Sequence, residues 1–268
     1  MPGELLSIKA NITSSLDTAV DNLLNSPLAS RVSALQSWQV HGETSAELDL
    51  VIPLSKNRQG ESYRVAADIR HGSMQLRDFQ PILFKQLEGS IAYNDKDGLY
   101  SPGITGSIWG QALKTTIATQ NGRLRIDAAG LFDLSLAPAW QPLFTENITG
   151  TAAYTASFLG PDKDSVATLA LRSDLQDIDI ALPAPLHKTR GDIWPLHATL
   201  AFRENDLLIS AHTDKLNAQL SIANHQLASG IIHIGDKNSL ESTKSNSKYD
   251  LPEHNLAKRT LPQQAKQK

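Results

Sequence analysis

AELDLVIPL, residues 46–54, decides the fold class. Ala46, Leu48, Leu50, Ile52 and Leu54 fall on one side of an extended chain, while Glu47 and Asp49 fall on the other. A period of two, with one apolar and one charged side, is the mark of a half-buried β-strand. The same alternation recurs along the chain. It is read in Tyr63, Val65, Ala67, Ile69; in Leu87, Gly89, Ile91, Tyr93; and in Leu124, Ile126, Ala128. It returns in Ala152, Tyr154, Ala156, Phe158; in Leu196, Ala198, Leu200, Phe202; and in Leu216, Ala218, Leu220, Ile222. Turn-forming clusters separate the runs: Lys56–Gly60, Asn94–Gly98, Gln120–Gly122 and Arg203–Asp206.

About twelve to fifteen short strands in antiparallel meander order are therefore predicted. Helical segments of ten to fifteen residues do not alternate with them, so doubly wound and α/β-barrel folds are disfavoured. One helix is predicted near 15–26. Leu16, Val20, Leu23 and Leu24 form a stripe, Ser15 or Asp17 caps the front, and Pro27 stops the end. Half-buried strands fit a closed barrel, a sandwich, or a long curved sheet with an apolar inner face. An outer-membrane barrel fits less well, because strand faces carry charge and Phe, Trp and Tyr make up only 6% of the chain.

The 268 residues suffice for a real core, in one elongated domain or two compact ones. Zero cysteines exclude disulfides, thiolate catalysis and cysteine-bound metals. Net charge is −3, which argues against a nucleic-acid surface. Residues 236–268 hold 7 Lys and Arg against 4 Asp and Glu, leaving 18 and 24 in the preceding 235 residues, a balance of −6. That last segment is polar and poor in apolar anchors, so it is predicted to be a disordered tail, with 1–235 as the β-domain. No apolar run is long enough for a spanning helix, and the start lacks the pattern of a secretory signal.

No catalytic constellation is found, and no metal site or cofactor is expected. Eight histidines, at 41, 71, 187, 197, 212, 225, 233 and 254, are scattered without the spacing of a helical zinc site. Gly106 and Gly110 lack the Lys-Ser/Thr step of a phosphate loop. Asp177 and Asp179 alternate with Ile178 and Ile180, which reads as a solvated strand face rather than a glycosidase pair. The segment that stands out follows directly. Pro183 and Pro185 end the strand whose apolar side is Ile178, Ile180 and Leu182, because proline cannot donate to a ladder. Leu186, then Trp194, Pro195 and Leu196, are the expected anchors of the crossing loop, as plain packing or as a lipid or partner contact.

Several pieces, in order, resemble the YhdP branch of the AsmA-like superfamily. They are Ser26-Pro27-Leu28; the strand from Gly42 through Leu54; 87–113, LEGSIAYNDKDGLYSPGITGSIWGQAL; Ile148-Thr149-Gly150; and Ser173–Lys188, whose Leu182-Pro183-x-Pro185-Leu186-x-Lys188 precedes Pro195-Leu196. Trp109 stands where Phe is more usual, and the turn reads Asp97-Gly98-Leu99. The resemblance covers roughly residues 5–235. It implies a large Gram-negative envelope protein anchored in the inner membrane by an N-terminal helix. Repeated strands there build a taco-like groove across the periplasm, implicated in carrying phospholipids toward the outer membrane. This chain lacks that anchor and is shorter than a full member, so the resemblance implies an internal or truncated segment on the periplasmic side.

On that reading Leu48, Leu50, Ile52, Ile91, Tyr93, Tyr154, Phe158, Leu200 and Phe202 line the groove, with phospholipids as partners. Flanking β-segments of the same groove, or other envelope proteins, are the partners expected at the open sheet edges. The assignment of groove residues is an argument from parity, which a single bulge would invert. The competing expectation is a structural or assembly module whose apolar face is shut as a sandwich core. An accessible apolar face separates the two.

Overall fold

The computed structural model describes residues 5–25, 35–36, 38–54, 61–76, 83–133, 147–204, 206–223 and 226–235. Outside them lie the tail at 236–268, the Ser26–Leu28 motif with the Pro27 stop, the Lys56–Gly60 turn, Asn205, His225 and His254.

The chain opens with a strand, β1 (Leu5–Ser15), and then helix α1 (Leu16–Leu24). The long strands follow: β2 (Trp38–Pro53), β3 (Ser62–Leu76), β4 (Leu83–Asn94), β5 (Gly98–Ile108), β6 (Gln111–Gln120) and β7 (Arg123–Phe132). Next come β8 (Ile148–Gly150), β9 (Ala152–Leu159), β10 (Ala167–Ser173) and β11 (Ile178–Ile180). The last are β12 (Leu196–Phe202), β13 (Leu207–His212), β14 (Leu216–Ala223) and β15 (Gln226–Ile234). Thirteen of the strands make one antiparallel sheet in the order β1-β2-β3-β4-β5-β6-β7-β9-β10-β12-β13-β14-β15, and β8 pairs only with β11. Neighbours in the sheet are neighbours in sequence except that β8 and β11 fall outside it. Among the described residues the sheet does not close, and the other sheet is two strands of three residues. It is a single curved sheet, neither barrel nor sandwich.

Hairpin chemistry sets the order. Asn121 and Gly122 both have positive φ, 52° and 76°, as a two-residue turn between right-twisted strands requires. Trp109 and Gly110 do the same between β5 and β6, at 50° and 78°. At the Asn94–Gly98 turn the Asn94 side-chain oxygen accepts from the Lys96 and Asp97 N–H groups at 2.9 and 2.7 Å.

A row of register shifts crosses β2 to β5, at His41/Glu43, Ile69/Gly72, Lys85/Glu88 and Ser101/Ile104. His71 and Gln86 have positive φ there, and the His71 N–H donates to Glu88 Oε1 at 2.8 Å. A Cβ on Gly42 would stand 2.8 Å from Gly72 Cα, so the two backbones meet where only glycine fits. Bulges raise local twist and bend strands. A row of them lets β2, 16 residues and roughly 53 Å of extended chain, curl rather than lie flat.

Candidate functional site

Directly opposed residues of an antiparallel pair project to the same face, so the register traces each face from edge to edge. Starting at Leu48, the apolar face passes through Val65, Tyr93 and Leu99. It continues through Thr119 and Leu124, and from Ile126 through Phe158, Leu169, Leu200, Ile209 and Leu220. Ala46, Ala67 and Ile91 form the neighbouring row. Gly130, Tyr154, Ser173 and Leu196 form another, and Phe202 stands opposite Leu207. All nine residues Leu48, Leu50, Ile52, Ile91, Tyr93, Tyr154, Phe158, Leu200 and Phe202 thus lie on one face. The bulges do not scatter them: in β2 the shift at His41/Glu43 precedes Leu48, and the β3–β4 register runs unbroken from Val65↔Tyr93 through Ala67↔Ile91.

No Asp, Glu, Lys or Arg lies on this face among the described residues of the thirteen-stranded sheet. The opposite face carries Lys9, Glu47, Asp49, Arg64, Asp68, Lys114, Arg125, Asp127 and Arg172. Exposure follows the same division. In β6, Leu113 is 6% and Ile117 9% exposed, while Ala112, Lys114, Thr116 and Ala118 are exposed. Large side chains hidden beside small exposed ones mean that the sheet curls toward its apolar side. Most of the apolar face is half-buried rather than shut, as in β12, β13 and β14. Across twelve inter-strand steps it runs roughly 58 Å in the hydrogen-bonding direction.

Four Ser and Thr hydroxyls on this face bond to neighbouring strands. Ser101 Oγ donates to the Ser90 carbonyl, Thr115 Oγ1 to Ile104 at 3.3 Å, Thr119 Oγ1 to Leu99 at 3.0 Å and Ser173 Oγ to Ala153 at 2.8 Å. Each satisfies its polarity on a neighbouring strand and presents carbon to the interior. Thr44 differs: it is 3% exposed and its Oγ1 has no partner among the described residues. Aromatic pairs add bulk, Phe132–Tyr154 with centroids 6.0 Å apart and Phe158–Phe202 at 6.3 Å. Burial raises the Tyr154 phenol above its ordinary pKa. Two shallow depressions measure about 360 Å³ each: one is lined largely by polar-face residues, including Lys9, Glu47, Asp49 and Arg64, and the other by residues of both faces, including Tyr154, Leu196, Thr155 and Arg172.

The two lips of the sheet are built differently. One has tight turns, including 160–166, where Arg123 holds the Gly160 carbonyl at 2.8 Å and Asp162 at 3.2 Å. The other bears α1 and the lobe 174–195. α1 sets Leu16, Val20, Leu23 and Leu24 half-buried against β1 and β2, with none of its residues fully buried. In the lobe, Leu175 and Ile178 join Ala152 in a buried cluster, with Phe132, Ile148, Ile180, Trp194 and Leu196 against it. It caps the ends of β7, β9 and β12.

The Pro-Leu segment forms this lobe. Leu182, Leu186 and Trp194 are half-buried, whereas Pro183, Pro185 and Pro195 are exposed. The Leu186 N–H donates to the Pro183 carbonyl at 3.0 Å, and the Trp194 N–H to Asp174 at 2.8 Å. β11 ends at Ile180, and the Ala184–Pro185 peptide is cis. The residue that parity could not find is Lys188. It is 1% exposed, and its Nζ donates to the Ile178 carbonyl at 2.9 Å and the Thr189 carbonyl at 3.2 Å. Burial lowers its ammonium pKa, and Asp192, Asp179, Asp174 and Asp177 pull the other way. Four acids around one lysine were the sequence signal.

Asp177 is exposed and Asp179 half-buried, and no group of three or more His, Asp and Glu among the described residues could hold a metal ion. No described helix is long and apolar enough to cross a membrane. A family model described as YhdP protein matches residues 1–258. No curated protein and no solved structure matches the chain.

Proposed function

The chain belongs to the YhdP protein family, and from that premise we propose that its apolar face is a segment of a periplasmic conduit, shielding phospholipid acyl chains between inner and outer membranes. Membership fits a role in lipid transport in the cell envelope. The observation that carries the finer reading is the uncharged, half-open apolar face continuous over thirteen strands.

Each CH₂ withdrawn from water contributes about 0.8 kcal/mol. A face of Leu, Ile, Val, Ala, Phe and Tyr offers that gain at every level, while the Ser101, Thr115, Thr119 and Ser173 hydroxyls, already bonded to neighbouring strands, give a headgroup little to hold. Transport needs many similar shallow positions, because a deep site would trap its cargo. The residues that carry the role are the nine named above. They bind by covering tails, and no bond is made or broken.

The test is to incubate the purified chain with vesicles containing an acyl-labelled fluorescent phospholipid and recover the protein by size exclusion. The chain is expected to carry label. Leu200→Asp should lose most of it, and Thr199→Asp, one residue away on the polar face, should keep it. Label absent from the native chain, or lost equally from both variants, would overturn the reading.

A further inference from the structure

The polar face gathers basic and titratable groups in one row. The register sets Thr155, Arg172, His197 and His212 opposite one another on β9, β10, β12 and β13. Asn217 and His233 continue the row on β14 and β15. Histidines that are scattered in sequence thus meet across strands, and no Asp or Glu stands among them in the row. Opposed residues lie roughly 5 Å apart. Arg172, His197 and His212 can therefore reach one small ligand from three adjacent strands.

The row follows the lip that bears the lobe. Arg172 is next to last in β10, His197 second in β12 and His212 last in β13. One of the two depressions lies there, lined by Thr155, Arg172 and His197 together with Tyr154 and Leu196 of the apolar face. Thr155, Arg172 and His197 are exposed.

Charge selects an anion. Arg172 makes no ion pair among the described residues. Asp174 is the carboxylate in the lining of the depression, and its Oδ1 accepts from the Gln176 N–H at 3.1 Å, within the turn that opens the lobe. Asp214 and Lys215, just beyond His212, are opposite in sign. A guanidinium matches two oxygens of a phosphate, and an imidazole donates an N–H in either protonation state. A metal cation would meet the Arg172 charge, so the opposed His197 and His212 do not make a metal site.

We propose that Thr155, Arg172, His197 and His212 form a phosphate-binding site on the outer side of this lip. The phosphate belongs to a phospholipid headgroup, whose tails cross the lip to the apolar face, or to a free anion. Only the first source rests on the conduit reading.

Proton NMR of the imidazoles tests it. The full chain at pH 6 is titrated with inorganic phosphate, glycerophosphoglycerol and dihexanoyl phosphatidylglycerol, against chloride of matched ionic strength. Saturable shifts of His197 and His212 are expected, with His41 and His71 unmoved. Arg172→Gln should weaken each response by about tenfold or more, and Arg203→Gln, at the opposite lip, should not. His197→Ala should weaken the His212 response likewise, and it decides the matter if Arg172→Gln does not fold. Concentration separates the sources. A headgroup site responds to dihexanoyl phosphatidylglycerol at about tenfold lower concentration than to glycerophosphoglycerol, and Leu200→Asp removes that gain while leaving the response to phosphate. Equal concentrations assign the site to free phosphate and count against the conduit reading alone. No saturable shift, shifts reproduced by chloride or spread over all histidines, or shifts that survive both Arg172→Gln and His197→Ala would overturn the proposal.

Discussion

Lys188 is the one charged side chain among the fully buried residues described. Its two carbonyl partners would be orphaned by Lys188→Met, which keeps the length and removes the donors. The expected loss is about 1–3 kcal/mol in urea unfolding, and an unchanged midpoint would show the lobe to be held by apolar packing alone. Ile178, 2% exposed at the centre of that lobe, should cost about 2–5 kcal/mol when cut to alanine. Threonines on the apolar face separate by partner. Thr119 Oγ1 both accepts from the Leu99 N–H and donates to its carbonyl, so Thr119→Val should destabilise by about 1–3 kcal/mol. Thr44 Oγ1 has nothing to lose, and Thr44→Val should be neutral or stabilising in the same assay. Asp162 gives the pH dependence. Hydrogen bonds from the Asp164 backbone and the Ser165 side chain, then Arg123, hold its carboxyl below the ordinary range. Its contribution is therefore complete above about pH 4 and lost as pH falls further. Asp162→Asn should flatten that part of the acid titration of stability. Alternation in the sequence assigns side chains to faces, but it is silent on which buried polar atom finds a partner. Thr44 is illegible for that reason, and Lys188 is signalled only by the acids near it in sequence.

At the scale of elements, the strands were legible wherever charge marked the wet side, as Glu47 and Asp49 do in β2. β1 was not read, although Leu6, Ile8, Ala10 and Ile12 alternate, because its other side is Ser, Asn and Thr with only Lys9 charged. Bulges were equally hidden: a bulge changes the count of residues in one strand relative to its neighbour, and a single strand's pattern holds no record of that. Gly150 is the most demanding position of this kind. Its φ is +109°, and a Cβ would collide with the Asp177 carbonyl across the β8–β11 pair. Gly150→Ala should open that pair. The Ala181 amide, bonded to the Asn147 carbonyl, should then exchange about tenfold faster, roughly 1.4 kcal/mol of local stability. Amides of β6 and β7 should not change. Equal acceleration throughout would mean that the lobe and the sheet unfold as one unit.

The whole molecule follows from an order that short turns impose and from a face that no strand breaks with a charge. What the sequence could not decide was whether that face closes on a second sheet. A sandwich core and an open groove share one alternation, and they differ only in what lies opposite. Among the described residues the second sheet is confined to β8 and β11, and the remainder of the face stays half-open. The most direct measurement is photo-crosslinking of the purified chain in phospholipid vesicles, with a benzophenone side chain at Leu48, Leu50, Tyr154 or Leu200 and, as outward controls, at Glu47 or Asp49. Phospholipid adducts at the first four positions and none at the controls are the expected result. Adducts at both sets alike, or at neither in a chain shown to be folded, would contradict a lipid-lined face and leave a structural sheet in its place.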